Sequence, residues 1–199
     1  IAKHLNGNRG ITIGDIQYPR SIFTLWTASE KAAIGIIGIT FDNSNKKDEK
    51  YYINTNQTYT YDADAGTVTA AYGDATAKAH ANTTWSQDDE DDGDLPSDKS
   101  VGDVKVEGLK TTLIKTVKQQ AAGILANTDW YITRNAEKST AIPSAITTHR
   151  DLVRSRQATM ETQITNASDT PALETLYTYT TDSDGVTSRT LAELPTLEI

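Results

Sequence analysis

A run of acidic residues in the middle of the chain constrains the fold more than any other feature. Residues 86–98 read SQDDEDDGDLPSD. A block of like charges repels itself and stays solvated, so it does not enter a packed core. We therefore predict a linker over residues 85–103. This linker would divide the 199-residue chain into an N-terminal module, residues 1–84, and a C-terminal module, residues 104–199.

The N-terminal module has the residue pattern of short strands. Residues 58–61 alternate Thr and Tyr, the segment DADAG follows as a turn, and residues 67–72 return as a second strand. This pattern predicts a β-hairpin. Upstream, Thr27 and Glu30 have the spacing of a capping box, which predicts one short helix beginning at residue 28. The module is thus expected to be β-rich with a single short helix.

The C-terminal module has the residue pattern of helices. Its apolar residues recur at steps of three and four, which is typical of a helix packed along one face. The first stripe consists of Leu109, Leu113, Val117, Ala121 and Ile124, and the second consists of Ile146, Val153, Met160 and Ile164. The second helix is expected over residues 143–166, with a short third helix and a β-like tail behind it. The whole chain is therefore predicted to be an α+β protein whose C-terminal module is a helical hairpin.

The second stripe allows two interpretations. Ile146, Val153 and Met160 are seven residues apart, and Ile164 follows after four. A near-seven repeat permits a short helix bundle between subunits. The same residues can instead pack against the first helix of their own chain. Both interpretations are kept at this point.

Residues 126–138, ANTDWYITRNAEK, connect the two predicted helices. A connection of this length needs its own anchor, and we predict that Trp130 and Ile132 pack back onto the helix pair. Arg134 and Glu137 have the spacing of an i,i+3 ion pair, which contributes only ~0.2–0.5 kcal/mol. The segment is therefore interpreted as the corner of the hairpin, with Trp130 and Arg134 as candidate interaction residues.

No arrangement of residues for catalysis or metal binding is found in the sequence. Cysteine is absent, which excludes disulfides and zinc–thiolate sites. His4, His80 and His149 lie in separate segments, and His149 is expected at the surface or at its boundary. The acidic run imitates the start of a calcium loop, but Lys99 stands where such a loop needs a carboxylate. Nucleophile-elbow and phosphate-loop motifs are missing. We expect a non-enzymatic protein without metal or cofactor.

Charge and hydropathy limit the partners. The net charge is -8 and the isoelectric point is about 4.8, whereas nucleic-acid binding needs a basic stripe. No apolar run approaches the ~20 residues of a membrane span. We therefore expect neither nucleic acid nor membrane as a partner. Because the sequence opens at Ile1, we expect the true start to be either removed or missing.

Two tyrosines of the predicted hairpin offer a binding surface. Tyr59 and Tyr61 are two residues apart, so they share one face of the strand. Aromatic faces stack on sugars, which makes a host-surface glycan a candidate partner. Cross-strand packing is the alternative use of such residues.

Two segments of the sequence resemble segments of known proteins. The first contains Tyr18-Pro19, Trp26 and the sequence EKAAIGI over residues 30–36. The second contains TDWYITRNAE over residues 128–137 and continues through Arg150 towards residue 164. Both resemble small tail-associated and tail-fibre virion proteins of tailed bacteriophages, especially those of marine cyanobacterial and pelagic bacterial hosts. His149 departs from the aromatic residue usual before the first hairpin arginine.

The resemblance implies a non-enzymatic structural component of a phage virion, in the tail, tail fibre or baseplate. It would be made in the cytoplasm of the host bacterium and would assemble with other virion proteins and with copies of itself. A capsid decoration protein is the first alternative. A host-surface glycan-binding module using Tyr59 and Tyr61 is the second, and a soluble assembly chaperone is the third.

Overall fold

A computed structural model describes residue 5 and residues 7–197. The chain is an α+β protein, as predicted, with small sheets and a C-terminal helical region. In chain order the elements are β1 (Ile11–Ile13), β2 (Ile16–Tyr18), α1 (Ile22–Leu25), α2 (Ala28–Ala33), β3 (Ile39–Asp42), β4 (Tyr52–Ile53), β5 (Thr58–Asp62), β6 (Thr67–Ala71), β7 (Thr76–Ala77), β8 (Thr83–Thr84), α3 (Gln87–Asp91), β9 (Val104–Val106), α4 (Leu109–Ala126), α5 (Asp129–Lys138), α6 (Ser144–Asn166), α7 (Thr170–Tyr177), β10 (Thr180–Thr181) and β11 (Thr187–Ser188).

The chain forms two compact units, and their boundaries differ from the predicted ones. The first unit consists of the residues up to 47 and of residues 54–76. The second unit consists of residues 48–53 and everything from residue 77 onward. The division expected at residue 84 therefore falls inside the second unit.

The acidic segment predicted as a linker over residues 85–103 is also part of the second unit. The acidic segment belongs to the second unit because the strands on either side of it pair with each other. Strand β8, before the acidic residues, pairs antiparallel with β9, after them. The acidic segment is thus an excursion between two paired strands. Its composition predicted solvation, but it did not reveal the pairing of the flanking residues.

The first unit contains a three-stranded sheet in the order β3-β6-β5. The predicted hairpin is confirmed, because β5 pairs antiparallel with β6 over five residue pairs. The turn ends at Gly66, whose φ of 63° is the left-handed conformation that glycine adopts without strain. Strand β3 adds to the other edge of β6 in parallel. The remaining strands of this unit, β1 and β2, form a separate antiparallel pair.

Helix α2 begins at residue 28, as predicted, but a second short helix, α1, precedes it, so the expectation of a single short helix was wrong. The Thr27 hydroxyl accepts a hydrogen bond from the Glu30 amide, and the Glu30 carboxylate accepts one from the Thr27 amide. This capping box satisfies backbone donors that the helix itself leaves unpaired. The hydrogen bond from the Thr27 amide, and a second one that the Thr27 hydroxyl donates to the same carboxylate at 2.8 Å, lower the pKa of the Glu30 carboxyl.

The second unit is built on α4 and α6, which pack against each other. The Lys110 ammonium donates to the Thr165 carbonyl, while the Arg150 guanidinium donates to the Leu125 carbonyl. The start of one helix therefore lies beside the end of the other, and the pair is antiparallel. Its core consists of Tyr51, Leu113, Val117, Met160, Ile164, Ala167, Leu173 and Leu191.

The end of the chain completes this core. Asp169 caps α7 through a hydrogen bond that its carboxylate accepts from the Ala172 amide. Strands β10 and β11 then pair as a hairpin, and Leu191 behind them is fully buried. Across the described residues, each helix is too short or too polar to cross a bilayer.

Candidate functional site

The described residues hold no group of three or more His, Asp or Glu side chains positioned for a metal ion. His4 lies outside the described residues. His149 is 7% exposed, so the expectation of a surface or boundary histidine was wrong. The reason is its position three residues after Ile146, on the buried side of α6.

The acidic segment is ordered by its own side chains. Residues 87–91 form α3, which begins with a capping box between Ser86 and Asp89. The Lys105 ammonium donates to the Asp89 carboxylate and also lies 4.4 Å from the centre of the Trp85 ring. The hydrogen bond from Lys105 and those from Ser86 hold the pKa of Asp89 at about 2. The start of the segment is therefore an exposed helical turn that the ion pair between Asp89 and Lys105 ties to strand β9.

A buried arginine fixes the corner between α4 and α5. One Arg150 nitrogen, Nη1, donates to the Leu125 carbonyl at 2.8 Å and to the Thr128 hydroxyl at 2.7 Å. The same nitrogen lies 2.9 Å from the Asp129 carboxylate. The Leu125 carbonyl also accepts from the Thr128 amide at 3.0 Å and from the Thr128 hydroxyl at 2.9 Å, so Arg150 adds a charged donor to a helix-end group that is already paired. Thr128 is also buried, at 1% exposed.

Trp130 does not anchor the corner. Its side chain is 51% exposed and that of Ile132 is 42% exposed, so the prediction that both pack back on the helix pair was wrong. The segment predicted as the corner of the hairpin contains the ten-residue helix α5. Thr128 takes the inward position at its start, and the next two residues, Asp129 and Trp130, are exposed.

Three residues of α5 form a compact group that we call the α5 surface: the exposed Trp130 and the half-buried Tyr131 and Arg134. The two ring centres are 3.9 Å apart. The Arg134 guanidinium lies 4.6 Å from the Trp130 ring centre and 5.4 Å from that of Tyr131. An arginine over aromatic faces is attracted by their negative π-density. The three side chains therefore hold one another in place, with the Trp130 ring exposed.

The stripe on α6 packs within its own chain. Ile146, Val153, Met160 and Ile164 are each at most 3% exposed. Met160 and Ile164 belong to the same core as Leu113 and Val117 of α4. Of the two interpretations left open, packing within one chain is the correct one. These four residues are structural and are not available as a subunit interface.

In the first unit, aromatic residues cover one face of the three-stranded sheet. Tyr59 lies opposite Ala70, which lies opposite Phe41 on the next strand. Tyr61 lies in the neighbouring row of the same face. The exposed fractions are 50% for Tyr59, 56% for Tyr61 and 59% for Phe41. We call these three residues the aromatic sheet face.

A second cluster of aromatic and cationic side chains lies in the second unit. The Lys50 ammonium is 3.8 Å from the Tyr177 ring centre and 4.8 Å from that of Tyr51. The Arg189 guanidinium lies over Tyr177 and over Tyr179. Burial raises the pKa of Tyr51 and lowers that of Lys50. These residues are far apart in sequence, and no local pattern could have revealed the cluster.

Arg150 was within reach of sequence reasoning, although it was not identified as a structural residue. Ile146, Arg150 and Val153 are spaced i, i+4 and i+7, so they share one helix face. A polar residue inside an apolar stripe is a signal for a buried partner, because burying an unpaired charge is costly. The partner itself, a helix-end carbonyl, cannot be read from the sequence.

Comparison of the chain with protein-family models, with curated proteins and with solved structures gave no match. Function is therefore inferred from the side chains described above and from the phage resemblance of the two sequence segments.

Proposed function

We propose that the chain is a non-enzymatic structural component of a phage virion, associated with the tail, tail fibre or baseplate. It acts through contacts with other virion proteins. The observation that carries this proposal is the α5 surface. The segment whose sequence resembles tail-associated virion proteins, residues 128–137, buries Thr128 and leaves half of the Trp130 side chain exposed. A segment needed only for folding would bury its tryptophan.

The composition of the α5 surface is that of a protein–protein contact. Trp, Tyr and Arg are the residue types most enriched among those that contribute most to binding between proteins. Truncating such a residue at the centre of an interface typically costs ~2 kcal/mol or more. Trp130, Tyr131 and Arg134 present all three types within about one helical turn.

The α5 surface is also arranged before any partner arrives. Arg134 already lies over both rings, so little side-chain freedom remains to be lost on binding. The start of α5 is fixed through Thr128 and Asp129 by the buried Arg150. A helix held at its base presents its aromatic residues in a defined direction, which suits repeated assembly contacts.

The test is incorporation into phage particles. Tagged wild-type chain and the variant Trp130→Ala/Arg134→Ala would be supplied in trans during infection by the phage that encodes the chain. Particles would then be purified on a density gradient and probed for the tag. We expect wild-type chain in the particles and at least a tenfold loss for the double variant. Both should give the same far-UV circular dichroism spectrum, because neither substituted residue belongs to the buried core.

A matched control comes from α6. Leu152→Ala removes another exposed apolar side chain from the same unit, and it should enter particles like the wild type. Equal incorporation of the Trp130/Arg134 variant would contradict a role for the α5 surface. Wild-type chain found only in the unassembled fraction would contradict the virion proposal itself and favour the assembly chaperone.

The aromatic sheet face supports a second candidate function, host-surface glycan binding. Tyr59 and Tyr61 expose about half of their surface on one side of the sheet, where ring faces can stack on sugars. The test is adsorption of the purified chain to envelope polysaccharide of the host. Tyr59→Ala/Tyr61→Ala should abolish adsorption, whereas Thr58→Ala/Thr60→Ala on the opposite face should not. Adsorption that is unchanged in the tyrosine variant would exclude this candidate.

We still propose that the chain self-associates, but through a surface other than the α6 stripe. Because the α6 stripe is buried in its own chain, an oligomer has to use outward residues. Light scattering on the purified chain gives its mass directly, and the expected result is a whole multiple of 21.7 kDa that is larger than one. A monomer would leave assembly to contacts with other virion proteins alone.

A further inference from the structure

A groove lies in the second unit between the end of α4 and the final segment of the chain. Its volume is about 510 Å³, within the ~300–1,000 Å³ of small-molecule sites. Gln120 and Asn127 line it from the helix side. Tyr179, Arg189 and Glu193 line it from the side of the C-terminal segment.

The polar groups in this groove share one geometry. Gln120 and Asn127 carry amides, Arg189 carries a guanidinium and Glu193 carries a carboxylate, and each group is a planar fork. Within the described part of the chain, the two amide side chains have no hydrogen bond. Arg189 is held only by its ion pair, Nε to Glu193 Oε1 at 3.3 Å, and by its ring contacts. The groove is therefore lined by two amides that make no hydrogen bond inside the described fold and by one guanidinium–carboxylate pair.

The aromatic ring of Tyr179 lines the same groove as these planar groups. The Tyr179 hydroxyl donates to the Glu193 carboxylate at 2.8 Å, which fixes the ring at the groove edge. Arg189 lies 5.1 Å from the ring centre. Tyr179 is still 53% exposed, so ring surface is left for a ligand. The charges of Arg189 and Glu193 neutralise each other, which favours an uncharged ligand.

A glycine keeps the groove open. Gly123 lies in the last part of α4, where glycine costs roughly 0.5–1 kcal/mol relative to alanine. A Cβ atom built there would meet nothing within 4 Å. Neither a positive φ nor a close approach requires glycine at this position. The absence of a side chain leaves space on the groove side of the helix.

We propose that this groove binds a neutral hexopyranose sugar. One face of a pyranose ring is apolar and stacks on an aromatic ring such as Tyr179. Its edge carries neighbouring hydroxyls, each both donor and acceptor, which planar forks engage in pairs. This proposal does not rest on the virion assignment, and the site is separate from the aromatic sheet face of the first unit.

The experiment is saturation-transfer-difference NMR on the full chain with the methyl glycosides of glucose, galactose, mannose and N-acetylglucosamine. We expect transfer to the ring protons of at least one glycoside. Gly123→Leu should weaken its binding at least tenfold, because the new side chain fills the groove. The same variant should unfold at the same or a higher temperature, since leucine is a better helix former than glycine.

Further variants test where the ligand binds, and a peptide probe tests its chemical class. Arg189→Lys keeps the charge but loses the planar fork, and it should also lose binding. Gln119→Leu, an exposed position of the same helix outside the groove, should bind like the wild type. Transfer that survives in Gly123→Leu and vanishes in Tyr59→Ala/Tyr61→Ala would overturn the groove assignment. Transfer to the peptide Gly-Leu-Gly alone, or to no probe at all, would overturn it too.

Discussion

Arg150 should be among the most important polar residues for the stability of the second unit. We consider Arg150→Met, which keeps a long apolar stem but removes the guanidinium. The change deletes two hydrogen bonds from a charged donor, at 2.8 Å to the Leu125 carbonyl and at 2.7 Å to the Thr128 hydroxyl. Hydrogen bonds to charged groups contribute ~1.5–3 kcal/mol each when buried.

Two effects reduce that sum, and the loss of the ion pair with Asp129 adds little to it. The Leu125 carbonyl still accepts from the Thr128 hydroxyl at 2.9 Å, so it is not left unpaired. The Asp129 side chain is 60% exposed, and an ion pair on the surface adds at most ~1 kcal/mol. Burying a methionine in place of a charge also returns some stability. We therefore expect a net loss of about 2–3 kcal/mol in the free energy of unfolding.

The assay is urea unfolding followed by far-UV circular dichroism, which reports mainly on the helices. Arg154→Met is the matched control. Its side chain is 53% exposed and pairs only with Asp151 on the same helix, so its loss should stay below ~0.5 kcal/mol. Arg150→Met and Arg154→Met with the same unfolding midpoint would refute the reasoning, because the corner would then not depend on the buried guanidinium.

Two further predictions concern the core and the acidic segment. Ile164→Ala, at a fully buried position, should lower the free energy of unfolding in urea by ~2–5 kcal/mol without changing the mass measured by light scattering. A change of oligomeric state with little loss of stability would show instead that the α6 stripe is a subunit interface. The Asp89 carboxyl should titrate at about pH 2 by carbon NMR, below its ordinary value of 3.8, and Lys105→Ala should raise that pKa. Because the folded-state pKa is depressed, the stabilisation by this contact is present above pH ~4 and lost as the pH falls towards 2. An Asp89 pKa that does not change in Lys105→Ala would contradict the ion pair.

Local signals predicted much of this fold. The capping box at Thr27 and Glu30 placed α2, and the alternation around the DADAG turn placed the β5–β6 hairpin. The apolar steps of three and four placed α4 and α6. Each of these features is set by residues within a few positions of one another, which is the range over which a single sequence is informative.

Features that depend on distant partners were not predicted. The parallel pairing of β3 with β6 joins segments separated by the β5 strand and its turn. The pairing of β8 with β9 likewise encloses the acidic residues, which a local charge pattern could only identify as solvated.

The corner shows why the candidate site was harder still. Trp130 was expected inside because large aromatic residues are usually well buried. Thr128 and Arg150 take the inward positions because together they satisfy the end of α4. Hydrophobicity alone ranks Trp above Thr, so the sequence indicated the right segment but the wrong residue.

The most direct test of the central claim is the copy number of the chain in purified phage particles, measured by quantitative mass spectrometry against the major capsid protein. A virion tail component should be present at a fixed small number of copies per particle and should stay with the tails when heads and tails are separated. Absence from the particles, or copies that follow the heads, would contradict a role in the tail.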